Sequence, residues 1–402
     1  MTERTFAGHE RKSAPPFAGT FPMTMLTRRR LLQASATVAA SALAGALPPP
    51  ETLFAATVPR VRARAARIRF GVIGLNHDHI YGQARAVIRG GGELVSFHAA
   101  EPELAARFAR NFPTARRVRD EREILDDASI HLVVSASIPS ERAALGVRAM
   151  RAGKDVMVDK PGATTLEQLS ELRRVQGETG RIYSIMYSER FENPGTVHAS
   201  ALVAGGAIGD VIQTVGLGPH RLNAATRPGW FWQHERYGGI LCDIASHQFD
   251  QFLHFTSSTR ADVVAAQVAN FHHRERAEFE DFGDVMVQGD GGTGYIRVDW
   301  FTPAGLDTWG DGRLTILGTD GYLEVRKNID VAQRAGGNHV YLVNGAGTRY
   351  IDASATELPY GRQLVDDVLQ RTQTAMSQAH CFLATELALR AQAMARRVEG
   401  VR

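Results

Sequence analysis

Three polar residues of this chain stand where regular structure would hold them still: Lys160, Asp243 and His247. Lys160 closes the segment Gly153-Lys154-Asp155-Val156-Met157-Val158-Asp159-Lys160-Pro161. Its apolar run reads as a buried strand, which puts Lys160 at the carboxyl edge of a sheet, where α/β folds bind ligands. Asp243 and His247 belong to Gly238-Gly239-Ile240-Leu241-Cys242-Asp243-Ile244-Ala245-Ser246-His247. They lie four apart on a helix expected over Leu241–His254, so they share one face. A fixed ammonium group steadies negative charge developing on oxygen. An imidazole titrates near neutrality and can take or return a proton. Taken singly, each has a plainer reading: a surface lysine before a turn, a satisfied buried histidine, a helix-face acid.

The elements that must position these groups alternate. Strands are expected over Ile68–Gly74, Glu93–His98, Ile130–Ser135, Asp155–Val158 and Ile182–Met186. Helices are expected over Tyr81–Arg89, Pro102–Asn111, Ser140–Arg151 and Thr165–Gly177. Such alternation implies a parallel sheet with right-handed crossovers. After about residue 188 the pattern changes to helices near Thr196–Ala204 and Leu241–His254, then short β-rich runs. Those runs are Val211–Gly216, Val263–Val268, Asp284–Gln288, Gly294–Trp300, Leu314–Leu317, Tyr322–Val325 and Val340–Val343. They predict a largely antiparallel sheet covered by helices on one face. A long amphipathic helix is expected over Thr374–Arg397.

The first strand ends at Gly74 and a helix follows, the arrangement that seats a pyrophosphate on helix N–H groups. Of the usual G-x-G-x-x-G pattern only the first glycine survives in Gly74-Leu75-Asn76-His77-Asp78-His79. Side chains such as Asn76 or His77 are therefore expected to serve where bare backbone usually does. Glu101, just past the second strand, can accept hydrogen bonds from ribose hydroxyls and repel a 2′-phosphate, which favours NAD over NADP. It also suits a helix start beside Pro102. His77 and His79 could touch phosphate or substrate. A metal pair at this spacing needs a third ligand, and the sequence offers no clear one, so no metal is expected.

Three motifs in order resemble the Gfo/Idh/MocA family of oxidoreductases: Gly153–Pro161, Gly238–His247, and Tyr187-Ser188-Glu189-Arg190-Phe191 as an inter-domain crossover. The resemblance covers about residues 67–400. It implies an α/β protein, with an N-terminal Rossmann NAD(P)-binding domain over 67–187. A C-terminal α/β domain over 188–402 would carry a large, mostly antiparallel open sheet. Such members oxidise or reduce a sugar, cyclitol or related polyol with a tightly held nicotinamide. By resemblance, Lys160 contacts the reacting hydroxyl, His247 exchanges its proton, and Asp243 orients the substrate or the histidine. Gly74, Asn76, His77, Glu101, Ser137, Pro139, Asp159 and Lys160 are the expected cofactor contacts. Tyr187, Arg190, His220, Arg221, Trp230 and Trp232 are substrate candidates, since aromatic rings stack on the apolar faces of sugars. The family's Asn-x-x-His is here Pro139-Ser140-Glu141-Arg142, with Arg142 in place of the histidine. A homodimer or homotetramer is implied.

The same residues would serve an NAD-dependent glycoside hydrolase that oxidises transiently and eliminates. The missing glycines leave room for a non-catalytic ligand-binding protein. The net charge of +3 belongs to residues 1–56, so residues 57–402 are formally neutral and lack the basic face that nucleic acid requires. The two cysteines, Cys242 and Cys381, form no framework, although one bridge could close in an exported protein. Thr27-Arg28-Arg29-Arg30-Leu31-Leu32, the apolar run Ala34–Leu47 and Ala44-Gly45-Ala46 resemble a twin-arginine leader over 1–46 with its cleavage site. A linker over 47–66 follows, and translation is expected to begin at Met23 or Met25. The expectation is a periplasmic protein, with no membrane association after cleavage.

Overall fold

The computed structural model describes residues 66–399, and the leader, the start site and all but the last residue of the linker lie outside them. Six strands form the first sheet: β1 (Ile68–Ile73), β2 (Gly92–His98), β3 (Arg116–Arg117), β4 (Leu132–Ser135), β5 (Asp155–Asp159) and β6 (Tyr183–Met186). Their order is β3-β2-β1-β4-β5-β6, all parallel, with helices between them. This is the doubly wound dinucleotide-binding order, and its switch point lies between β1 and β4. β4, β5 and β6 are buried along their whole length, as a sheet covered on both faces demands.

The second sheet has nine strands: β7 (Val211–Pro219), β8 (Ala261–Ala269), β9 (Phe282–Gly289), β10 (Gly292–Asp299), β11 (Arg313–Gly318), β12 (Gly321–Arg326), β13 (His339–Asn344), β14 (Gly347–Asp352) and β15 (Arg396–Arg397). Their order is β14-β13-β12-β11-β7-β10-β9-β8-β15. Pairing is antiparallel except at β7–β10 and β8–β15. The helix Ala245–Thr256, which carries His247, lies on β7 and β10. Glycines make that approach available: a Cβ on Gly218 would sit 2.7 Å from Gln248 Nε2, and one on Gly294 2.8 Å from Phe252. A second, smaller core of Ile208, Leu314, Ile316, Leu323, Val325 and Val340 fills the space at the β11–β13 end.

Two expectations change. The single helix over Leu241–His254 is two, Ile240–Asp243 and Ala245–Thr256, with a turn at Ile244. The amphipathic terminal helix is Gln378–Met394 and is largely buried, because it threads between the two sheets. Its Gln378 accepts from the Tyr183 amide at 2.9 Å, and its Gln392 from the Leu241 amide at 2.9 Å. One helix thus ties the edge strand of the first sheet to the segment that bears Asp243. The helix Tyr360–Gln370 also returns to the first domain and packs on the helix His79–Arg89. Both cysteines are buried and unbridged. Among the described residues, no helix is long and apolar enough to cross a membrane.

Candidate active site

Lys160, Asp243 and His247 line one pocket of about 350 Å³. Lys160 leaves the end of β5 and donates through Nζ to Asp243 Oδ1 at 2.9 Å. Burial alone would raise the Asp243 carboxyl, but the Lys160 ammonium overrides it and holds the group below its ordinary value. Asp243 makes no hydrogen bond to His247, so it orients the lysine rather than the histidine.

His247 is 2% exposed, and its Nδ1 has no partner among the described residues. Burial, with the Lys160 cation nearby, pushes its pKa down to about 3 against the pull of Glu189. The imidazole is therefore neutral at physiological pH, and a neutral imidazole can accept a proton. Glu189, from the crossover helix Ser188–Phe191, opens on the same pocket. One of its oxygens takes Lys327 Nζ and Gln248 Nε2, and the other is buried without a partner. Burial would raise this carboxyl too, but Lys327 holds it well below the carboxylate range. Sequence reasoning missed Glu189 and Lys327. Glu189 was within reach, since it lies inside the crossover motif; Lys327 carries no local signal.

Arg142, noted only as a departure from the family, fixes the edge on which Lys160 stands. Its side chain is 1% exposed. Nε donates to the Ser137 carbonyl at 2.8 Å, Nη1 to the carbonyls of Lys160 and Pro161, and Nη2 to Asp159 at 3.2 Å. Asp159 also meets His79 Nδ1 at 2.9 Å and His77 Nδ1 at 3.2 Å. The third ligand that the sequence did not reveal is therefore present: His77, His79 and Asp159 bring donor atoms within 4.8 Å of one another. That corrects the ground on which a metal was set aside.

Of the substrate candidates, His220, Arg221 and Trp230 line the pocket. His220 Nδ1 donates to the Gly218 carbonyl at 3.0 Å, which makes Nε2 the acceptor, and the ring sits against Trp300 and Trp309. Arg221 spends its guanidinium on the carbonyls of Pro303 and Leu306, so it shapes the loop that presents Trp309. Three candidates are corrected. Tyr187 is fully buried with its hydroxyl on Thr385 at 3.3 Å. Arg190 forms a buried bidentate pair with Asp250, both contacts 2.7 Å, which joins the crossover to the helix Ala245–Thr256. Trp232 packs on Phe279 and under Arg276, outside the pocket.

A second cleft, of about 560 Å³, adjoins the first and is lined by Asn76, His77, Glu101, Ile138, Arg227 and Trp230 among others. It lies at the β1–β4 switch point and fits a dinucleotide. Gly74 has φ +83°, and a Cβ there would sit 2.5 Å from that of Ser137, so the tight turn requires glycine. Among the described residues, no protein acceptor meets the amides of Asn76 and Asp78, and free amides at a helix start suit a phosphate. Arg227, which lines both clefts, stacks over Phe231 and Trp300 with no carboxylate partner among the described residues. The contacts differ in detail from expectation. The Asn76 side chain donates to Glu101 at 2.7 Å instead of facing a phosphate. The Ser137 hydroxyl turns to Ser135 at 3.2 Å. Pro139 lines the pocket of Lys160 and His247, and Asp159 meets Arg142 and the two histidines.

A Rossmann unit whose nucleotide cleft opens beside a lysine–histidine pocket defines a nicotinamide-dependent class of oxidoreductase. Residues 68–187 match the description "Oxidoreductase family, NAD-binding Rossmann fold", and residues 196–324 match "GFO/IDH/MocA C-terminal domain". A crystal structure of a provisionally designated oxidoreductase from Erwinia carotovora atroseptica is 48% identical, with TM-score 0.80, covering 82% of this chain and 99% of that one. The NADP-dependent scyllo-inositol 2-dehydrogenase of Bacillus subtilis is 26% identical over 56% of this chain and 61% of its own length. Levoglucosan dehydrogenase, solved with NADH and levoglucosan, is 19% identical with TM-score 0.68, covering 81% of this chain and 96% of its own, a likeness of fold. The chain belongs to the Gfo/Idh/MocA family of NAD(P)-dependent oxidoreductases.

Burial sets a pH limit. It pushes His220 down to about 4, and His247 and His254 to about 3. In the unfolded chain these groups take protons below about pH 6.5, whereas in the fold they stay neutral until well below that. Their contribution to stability is fully present above about pH 6.5 and is lost as pH falls toward the folded values. Denaturation midpoints are expected to drop between pH 6.5 and 4.5. Calorimetry near pH 5 should find about three protons taken up on unfolding by these groups, and about one fewer in His247→Gln. A pH-independent midpoint would contradict neutral burial.

Proposed function

We propose that the protein interconverts a secondary hydroxyl and a carbonyl on a sugar, cyclitol or related polyol. The observation that carries this reading is the Lys160–Asp243 pair beside a neutral, buried His247, in a pocket that shares a wall with the nucleotide cleft. A bound nicotinamide supplies the hydride acceptor or donor. In the oxidative direction the Lys160 ammonium donates a hydrogen bond to the substrate oxygen and steadies its alkoxide character. His247 takes the hydroxyl proton as the carbon gives up its hydride. Asp243 keeps Lys160 aimed, and Arg142 keeps the β5 edge in place. Trp230, Trp300 and Trp309 with His220 give the pocket aromatic walls suited to the apolar faces of a ring. Among the relatives, the names of scyllo-inositol 2-dehydrogenase and levoglucosan dehydrogenase support this substrate class. Glu101 on the nucleotide cleft supports NAD over NADP, because a carboxylate there repels a 2′-phosphate.

Panels of sugars and cyclitols assayed with NAD should yield NADH. His247→Asn is expected to lower kcat by about 100-fold or more with little change in nucleotide affinity, the usual weight of one proton-transfer group. Full activity in that variant would overturn the assignment. NADH titration should show tighter binding than NADPH, and Glu101→Ala should narrow the gap.

The outer face of the second sheet supports self-association. Met286, Leu317 and Tyr322 are 55%, 40% and 42% exposed there, beside half-exposed Val215, Leu217 and Tyr295. The strand register sets these side chains on one face, where they alternate with Gln213, Thr315 and Arg297, and exposed apolar groups gathered on one face mark an interaction surface. We expect a homodimer or homotetramer through it. Light scattering should report more than one copy, and a smaller species for Met286→Asp; a monomer at micromolar concentration would exclude this.

The twin-arginine-like segment supports export to the periplasm. Fractionation should recover a protein whose N-terminus lies just after Ala46; recovery of uncleaved cytoplasmic chain would refute export.

A further inference from the structure

The segment Asn76–His79 puts two imidazoles where a dinucleotide turn normally has bare backbone, and the proposed proton chemistry uses neither of them. Both rings converge on one carboxylate. His79 Nδ1 lies 2.9 Å from Asp159 Oδ1, and His77 Nδ1 lies 3.2 Å from Asp159 Oδ2. We propose that His77, His79 and Asp159 form a binding site for a divalent transition-metal ion, open on its remaining side to the catalytic pocket.

Three observations support the site. The first is spacing. With metal–nitrogen and metal–oxygen bonds of about 2.0–2.2 Å, neighbouring donors around one ion lie about 3–3.5 Å apart, close to the two separations seen. The second is convergence. Each Nδ1 faces a different oxygen of the one Asp159 carboxylate, so an ion taking the place of the ring protons would meet both imidazoles and the carboxylate at once. The third is support and access. Asp159 is 1% exposed at the end of β5 and is held by Arg142, the kind of outer hydrogen bond that orients ligating carboxylates. His77 and His79, at 27% and 38% exposed, both line the pocket. Three protein ligands with one open side are the arrangement of a metal site that takes a substrate oxygen. Two imidazoles and a carboxylate suit zinc, cobalt, manganese or ferrous iron rather than calcium or magnesium.

The charges around the site fit an oxygen-rich ligand. Asp159 is paired with Arg142, Asp243 with Lys160, and Glu189 with Lys327. A divalent ion therefore adds to the positive charge that Arg227 already brings to the pocket, which favours a ligand offering a pair of oxygens, such as a vicinal diol or a hydroxy-carboxylate. This last step rests on the polyol reading above; the metal site itself does not.

The test reads metal binding directly. Chelator-stripped protein, free of substrate, is titrated with Co²⁺, following visible d–d absorption, and with Zn²⁺ by calorimetry. One equivalent is expected to bind, with Zn²⁺ displacing Co²⁺. His79→Gln and His77→Gln should each weaken binding by about 100-fold or more, whereas His272→Gln, a histidine remote from the pocket, should bind like wild type. Circular dichroism of each variant verifies that it is folded. Failure of the unaltered protein to bind either ion, or binding unchanged in folded His79→Gln, overturns the proposal. Dehydrogenase activity retained in the stripped protein without metal binding would remove the metal and leave the polyol reading standing. Metal binding without activity on any polyol would do the reverse.

Discussion

The Arg142–Asp159 pair is the interaction on which the site depends. Both side chains are 1% exposed, and two charges taken out of water are tolerated only when every remaining hydrogen-bonding group is met. Arg142 meets that condition by spending its donors on the carbonyls of Ser137, Lys160 and Pro161 as well as on Asp159. In doing so it fixes the exit of β4, the exit of β5 and the backbone of Lys160 to one rigid cation. The two clefts meet at that edge, so a loosened Arg142 would disturb nucleotide turn and lysine together.

From this edge outward the pocket combines ion pairs, neutral imidazoles and one further cation. Lys160 answers Asp243, Lys327 answers Glu189, and Arg227 has no carboxylate partner among the described residues. Burial then keeps His220 and His247 uncharged. A neutral base beside a fixed cation is the division of labour that reversible hydroxyl oxidation needs: one group to hold negative charge on oxygen, another to hold the proton. The Arg190–Asp250 pair does a different task. It joins the crossover to the helix that carries His247, which is why a residue of the crossover motif turned out to be structural.

Much of the first domain could be read directly. The helix Pro102–Asn111 has the bounds expected from its proline start, and the five principal strands fall within two residues of expectation. Short apolar runs between helical stretches leave little choice when both sheet faces are covered. The second domain was readable in its strands but not in its helical breaks. The turn at Ile244 has no proline or glycine to announce it, and the terminal helix is more deeply buried than its polar residues suggest.

The sequence by itself determined the α/β architecture and the family, and it singled out Lys160, Asp243 and His247 as candidates, because periodicity and short motifs are local properties of the chain. Only the tertiary structure decided which polar groups meet. His79 and Asp159 are separated by 80 residues, Lys160 and Asp243 by 83, Glu189 and Lys327 by 138. It also separated Glu189, which faces the pocket, from its neighbours Tyr187 and Arg190, which do not. Such pairings depend on where loops carry strand ends and on which way a side chain turns when burial forbids an unmet charge, and neither is encoded in local spacing.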